Sequence, residues 1–327
     1  MNNKKIFITG GTGSFGKEFV KLTLKKFKPK QIIIFSRDEM KQWEMQNYYH
    51  NNSKIKFIIG DVRDESALVK SLKGIDYVVH AAATKIIPTA ELNSIECIKT
   101  NTIGAINLIN ACLKNNIKKV VALSTDKACN PINLYGASKL ASDKLFISNN
   151  DLHNSKNSKF SIVRYGNVMG SRGSIIPFLI SLKNQSYIPI TDKRMTRFMI
   201  TLDEAVKLVW KAFDDMYGGE LYIKKIPSMK IIDLAKSIYP NKKHKEIGIR
   251  IGEKLHEEMI SKEDARNTYE YRDYFKILSP IYNSKILKKS IKKGKKVKED
   301  FSYSSDNNKV WLTNSELKKW ISSKFNI

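Results

Sequence analysis

Tyr135 and Lys139 stand at i and i+4, so on a helix they share one face. An ammonium beside a phenol stabilises the phenolate and lowers the tyrosine pKa. Such a phenol can take an alcohol proton while a hydride leaves for a nicotinamide. Tyr-x-x-x-Lys alone arises often by chance. Thr125 (or Ser124), about ten residues upstream at the end of an apolar run, makes the pattern specific, because its hydroxyl can bond the same alcohol oxygen. Asp126 and Lys127 follow directly and add an adjacent pair of opposite charges.

A second constellation opens the chain. Gly10, Gly13 and Gly16 lie in Thr9-Gly10-Gly11-Thr12-Gly13-Ser14-Phe15-Gly16, after an apolar run and at the start of a helical pattern. Glycines there allow a tight turn and let a pyrophosphate approach the backbone at a helix N-terminus. The next apolar run ends in Phe35-Ser36-Arg37-Asp38. A small residue followed by a cation favours the 2′-phosphate of NADP, with Lys41 as a helper, whereas Asp38 points toward NAD. Asp61 and Val62 are placed to meet the adenine edge. Ala81, Ala82 and Ala83 are small enough for a cofactor to lie against the backbone.

The elements that must position these residues are legible in the first half. Strands are expected at Ile6–Thr9, Gln31–Phe35, Lys56–Ile59, Tyr77–His80, Val120–Ser124 and Phe160–Val163. Amphipathic helices are expected at Lys17–Phe27, Glu65–Leu72 and Ala105–Asn115. This alternation implies an α/β fold, a doubly wound parallel (Rossmann) sheet with a smaller α/β substrate-binding domain, and chemistry at the carboxyl ends of the strands. The expected division is 1–166 for the cofactor domain, with 195–217 packing back on it, 167–283 mainly for substrate, and 284–327 as a basic tail. In the second half, Leu202–Asp214 and Ser228–Ser237 read as helices and Ile247–Ile251 as a strand. The pattern weakens after Asp273, apart from a short helix near Glu316–Trp320.

The 327 residues suffice for two domains, and 42% hydrophobic against 28% charged residues excludes overall disorder. No apolar run approaches a membrane span, and Cys97, Cys112 and Cys129 form no disulfide framework, so a cytoplasmic enzyme with no membrane partner is expected. No metal is expected, since the histidines His50, His80, His153, His244 and His256 lack metal spacing. His80 reads as a packed core residue. The net charge of +26 comes from lysines spread along the chain. The densest stretch, Lys285–Lys298, has eight lysines and no aromatic, so no specific nucleic-acid partner is expected. Arg164, Arg194 and Arg197 read as solvated or surface-paired.

The longer strings carry a resemblance. Ser124–Lys139 (STDKACNPINLYGASK), Arg164–Pro177 (RYGNVMGSRGSIIP), Ile190–Thr201 (ITDKRMTRFMIT) and Ile247–Ile260 (IGIRIGEKLHEEMI), with the glycine loop, resemble the extended short-chain dehydrogenases/reductases. Within them the chain is similar to the inverting UDP-N-acetylglucosamine 4,6-dehydratases, which start pseudaminic acid biosynthesis. The resemblance implies NADP, a homo-oligomer, and oxidation at C4, loss of water across C5 and C6, and return of the hydride to C6. It makes Tyr135 the C4 base, Lys127 the C5 base and Asp126 the C6 acid, where retaining relatives carry Asp-Glu. It places Lys85, Ile86, Asn167, Thr191, Arg250 and Glu253 at the UDP-N-acetylglucosamine substrate. Arg250 suits the diphosphate because a guanidinium binds phosphate bidentately. The resemblance sets Val168, Met169, Gly170, Ser171 and Arg172 over the nicotinamide. Lys85 also serves the cofactor, as do Tyr135, Lys139, Ser14 and Phe15. Two departures from the family stand out: Ile251 where proline is expected, and Thr84 where a larger apolar residue is usual. The alternatives are a nucleotide-sugar epimerase or retaining dehydratase, and a basic nucleic-acid-binding protein on a cofactor fold.

Overall fold

The computed structural model describes residues 1–150, 158–280 and 284–325. His153 lies outside them. Parallel strands run β1 Lys5–Thr9, β2 Gln31–Ser36, β3 Ile55–Ile59, β4 Tyr77–His80, β5 Lys119–Thr125 and β6 Lys159–Tyr165. Each lies within two residues of its expected bounds. Their lateral order is β3-β2-β1-β4-β5-β6. Winding therefore reverses between β1 and β4, which is where such sheets bind ligands. Thr9 pairs with Phe35 on one side and His80 on the other, so the segments that follow emerge together.

Helices cover both faces, so the strands read as continuous apolar runs. On one face, α1 (Ser14–Lys26) packs beside Leu202–Asp215, and Trp210 Nε1 donates to Thr23 Oγ1 at 3.2 Å. On the other lie Glu65–Ser71, Gly104–Lys114 and Leu134–Ser148. His80 is a core residue as expected, with Nδ1 2.8 Å from Thr9 Oγ1. No helix among the described residues is long and apolar enough to cross a membrane.

The second half departs from the sequence reading. The sheet does not stop at β6: Leu221–Lys224 adds in parallel, and Tyr274–Ile277, Thr268–Glu270 and Lys295–Lys296 extend it in antiparallel fashion. Residue 166 is therefore not a clean boundary. Ser228–Ser237 divides into a strand, Ser228–Lys230, and a helix, Ile231–Ile238. Ile247–Ile251 is a loop. Gly248 takes φ +88°, and Ile247, Ile249 and Ile251 are exposed, so their alternation marks no buried face. The smaller lobe gathers Met169, Ile176, Ile190, Met199, Met229 and Leu234 around the short sheet Asn167–Val168, Thr196–Ile200 and Ser228–Lys230.

Residues 284–325 are docked along their length. Tyr303–Ser304 pairs with Glu258–Ile260, and Asn314–Phe325 buries Leu317 and Ile321 in the smaller lobe. Apolar residues spaced among the lysines supply the anchoring. A charged cluster adds to it. Lys276, fully buried, pairs with Asp215, which also pairs with Lys292 at 2.8 Å. Burial pushes the Asp215 carboxyl up, but the two lysines outweigh it and hold it below the usual value. A depressed acid contributes stability above its unfolded pKa of about 4 and loses it as pH falls through the folded pKa. Asp215→Asn should destabilise the protein by about 3–5 kcal/mol at pH 7, because it strands a buried ammonium. Denaturant unfolding should also show that the variant loses less of its remaining stability on acidification than the parent.

Candidate functional site

The glycine loop is shaped by close approach. A Cβ on Gly10, at φ +65°, would lie 2.9 Å from the Ala82 backbone, and one on Gly16 would lie 2.2 Å from the Gly11 oxygen. Both distances are shorter than real contacts, so only glycine lets the loop sit against the segment after β4 and α1 start where it does. Gly13 is exposed at the mouth. Ser14 Oγ accepts from Arg172 N at 3.1 Å, and Lys85 Nζ donates to the Arg172 carbonyl at 3.0 Å. Residues expected on one cofactor thus meet from three parts of the chain. Asn101, missed in the sequence, fixes the loop after β4: its Oδ1 accepts from Thr84 N at 2.8 Å and its Nδ2 donates to Thr84 O at 2.9 Å.

At the end of β2 the charged side chains are engaged locally. Asp38 caps the helix Glu39–Tyr48, with Oδ1 accepting from Lys41 N at 2.9 Å, and its other oxygen pairs with the Lys41 ammonium. Asp38 and Lys41 therefore serve each other. Ser36 Oγ accepts from Thr12 and Gln42 side chains. Arg37 stays exposed, 3.5 Å from Asp61, whose carboxylate is mainly engaged by Arg63. Three expected contacts turn inward instead. Val62 is buried and packs against Gly104. Met169 lies in the smaller lobe's core, because its amide is tied to Ile200 O. Phe15 stacks on Phe19. Gly170, at φ +69°, lies under Trp320, so the docked C-terminal helix backs the Val168–Arg172 loop.

The reactive centre sits at the end of β5. Thr125 donates to Asp126 Oδ1 at 3.0 Å, and its hydroxyl acts to lower the Tyr135 phenol pKa. Asn133 caps the helix Leu134–Ser148 and donates to Gly252 O at 2.7 Å, which ties the 250–253 loop to the start of that helix. Gly136 lets the helix approach, since a Cβ there would lie 2.2 Å from the Lys127 carbonyl. Burial pushes the Tyr135 phenol up to about 12, while Lys127 and Thr125 pull it down. Lys127 is thus a cation acting on the phenol. Lys139 is buried; burial pulls its pKa down, and Asp143 offsets only part of that.

Lys127 Nζ lies 3.0 Å from Asp126 Oδ1, 3.2 Å from Glu257 Oε1 and 3.5 Å from Asn167 Oδ1. Asp126 and Asn167 accept hydrogen bonds from the ammonium, and Glu257 adds an ion pair. Burial pulls the Lys127 pKa down, but Asp126 and Glu257 outweigh it and the net shift is upward. Glu257 was not singled out in the sequence, where it is one of three glutamates in Ile247–Ile260. Arg197 and Arg164 are likewise buried, not solvated: Arg197 Nε is 3.7 Å from Glu257, and Arg164 pairs with Asp143 at 3.3 Å. Arg194 is exposed and pairs with Asp192. Of the expected substrate residues, Asn167 reaches Lys127, while Ile86 and Arg250 are exposed and Arg250 sits over the Phe178 ring. Thr191 donates to Met195 Sδ, and Glu253 Oε2 is buried without a partner among the described residues.

A Rossmann sheet with a serine/threonine–tyrosine–lysine face and a second lobe over its carboxyl edge defines the extended short-chain dehydrogenase/reductase fold. The chain belongs to the family described as polysaccharide biosynthesis protein, whose model matches residues 6–279. An inverting UDP-N-acetylglucosamine 4,6-dehydratase of Campylobacter jejuni is 53% identical, across 97% of this chain and 96% of that one. A UDP-glucose 4-epimerase of Rickettsia conorii is 40% identical, across 94% and 92%. The crystal structure of Pen from Bacillus thuringiensis matches with a TM-score of 0.91 and 35% identity, covering 100% of this chain and 99% of that one.

Gly16→Ala should lower dinucleotide affinity by at least about tenfold, roughly 1.4 kcal/mol, because the Gly11 carbonyl must move out of the cradle. Fluorescence titration with NADPH measures this.

Proposed function

We propose that this protein is an inverting UDP-N-acetylglucosamine 4,6-dehydratase that uses NADP and gives a 4-keto-6-deoxy sugar nucleotide, the first step toward pseudaminic acid. The observation that carries the reading is the Asp126–Lys127 pair beside Thr125 and Tyr135. The near full-length likeness to a dehydratase supports it. An epimerase is the second reading, favoured by the 40% identical relative. Epimerisation needs Tyr135 but has no use for a second acid and base.

The glycine cradle, Ser14, Lys85 and Arg172 would hold a dinucleotide, and its 2′-phosphate fits the exposed Arg37 now that Asp38 is occupied as a cap. The bound nicotinamide supplies a hydride acceptor and donor. Tyr135 removes the C4 hydroxyl proton while Thr125 holds the same oxygen. The carbonyl at C4 acidifies the C5 proton. Lys127 and Asp126, 3.0 Å apart, share one proton between them in this reading: the amine form of Lys127 takes the C5 proton and the acid form of Asp126 protonates the departing C6 hydroxyl. A proton then returns to C5 on the face opposite the one it left, which inverts the centre. Arg250 would meet the diphosphate, with Ile86, Asn167, Thr191 and Glu253 around the sugar.

With UDP-N-acetylglucosamine in D₂O, NMR should show a C6 methyl and deuterium at C5. Lys127→Ala should slow water loss by about 10²–10⁴-fold. An unchanged rate would overturn the role of Lys127. Arg37→Ala should weaken NADPH binding about tenfold and leave NADH binding unchanged. Equal losses for both would argue against NADP.

A further inference from the structure

We infer that Glu257 is a positioning residue for the C5 proton transfer, holding Lys127 Nζ against one face of the sugar ring. This rests on the dehydratase reading above. A lysine carries about 2 kcal/mol of rotamer entropy on a flexible stem, so one carboxylate from the adjacent residue cannot fix where its nitrogen sits. Asp126 is that neighbour. Glu257 comes from a distant part of the chain and grips the same nitrogen at 3.2 Å.

The backbone of Glu257 is tied on both sides. Its amide donates to Ser305 Oγ at 2.9 Å, and its carbonyl accepts from Ser305 N at 2.7 Å. Ser305 Oγ is 2.6 Å from Thr196 Oγ1, which lies 2.8 Å from His256 Nδ1. Arg197 lies beside the carboxylate, and its guanidinium donates to the carbonyls of Thr196, Leu255 and Lys254 at 2.7, 3.1 and 2.9 Å, so it cannot swing away. A structural ion pair needs no further partner than Arg197. Yet Glu257, only 2% exposed, aims Oε1 at a lysine that remains 18% exposed. Lys127 Nζ also lies 3.5 Å from Asn167 Oδ1, and its charge pulls the Tyr135 phenol down. The docked C-terminal segment thereby reaches the reactive nitrogen through Ser305 and Glu257.

In the step concerned, the C5–H bond breaks and its proton goes to the Lys127 nitrogen. The electron pair enters the enolate formed with the C4 carbonyl. Glu257 exchanges no atom with the substrate. It sets where the nitrogen stands, and misplacement by about 1 Å can cost 10²-fold in rate.

The test separates half-reactions of the full-length protein loaded with NADP. Nicotinamide reduction in a single turnover reports oxidation at C4, and deuterium uptake in D₂O reports transfer at C5. Glu257→Ala should slow C5 exchange about 100-fold, with C4 oxidation and KM within about threefold of wild type. Glu257→Gln, which keeps an oxygen acceptor, should lose less, and Ser305→Ala should shift exchange in the same direction. If oxidation, exchange and melting temperature fall together, Glu257 only supports the fold and the inference is wrong. Unchanged exchange in Glu257→Ala also overturns it. A wild-type protein that oxidises C4 without exchanging C5 fails the dehydratase reading itself, and the inference goes with it.

Discussion

The ammonium of Lys127 keeps partial exposure while its counter-charges are buried. Asp126 and Glu257 are 1% and 2% exposed, and taking such ions out of water costs several kcal/mol each unless they are well paired. The pairing requires the end of β5, the segment before Glu258–Ile260 and the strand carrying Arg197 to converge. Those segments belong to the large sheet and the smaller lobe, so the charge cluster helps set how the two close on each other. Asn133 and Gly252 make a second such tie beside the catalytic helix.

The same convergence gives the C-terminal segment its place. Lys292 and Lys276 share Asp215 beneath the sheet edge, Ser305 clamps Glu257, and Trp320 covers Gly170. A stretch that reads as a basic tail is thus wrapped around both lobes. One of its lysines, Lys292, pairs with Asp215 and also stands over the Tyr217 ring.

Sequence reasoning went wrong where spacing and packing part company. Ile247, Ile249 and Ile251 alternate as in a strand, but glycines at positive φ turn the chain there and leave the side chains in solvent. Tyr274–Ile277 and Thr268–Glu270 were missed because they are short and lie among charged residues, and they gain strand structure only by pairing with Leu221–Lys224. Val62 and Met169 follow the right strands but face the wrong way, since side-chain direction depends on register.

What the sequence determined by itself is local. The apolar runs, the glycine spacing, the i, i+4 tyrosine and lysine, and the Asp126–Lys127 neighbours are all encoded within short stretches where chain geometry fixes proximity. The tertiary structure alone decided the long-range electrostatics. It gave Asp38 to a helix cap, added Lys127 as a cation acting on Tyr135, and brought Glu257 to Lys127. Charge interactions depend on distance and burial, and neither can be read from residues that are far apart in the chain.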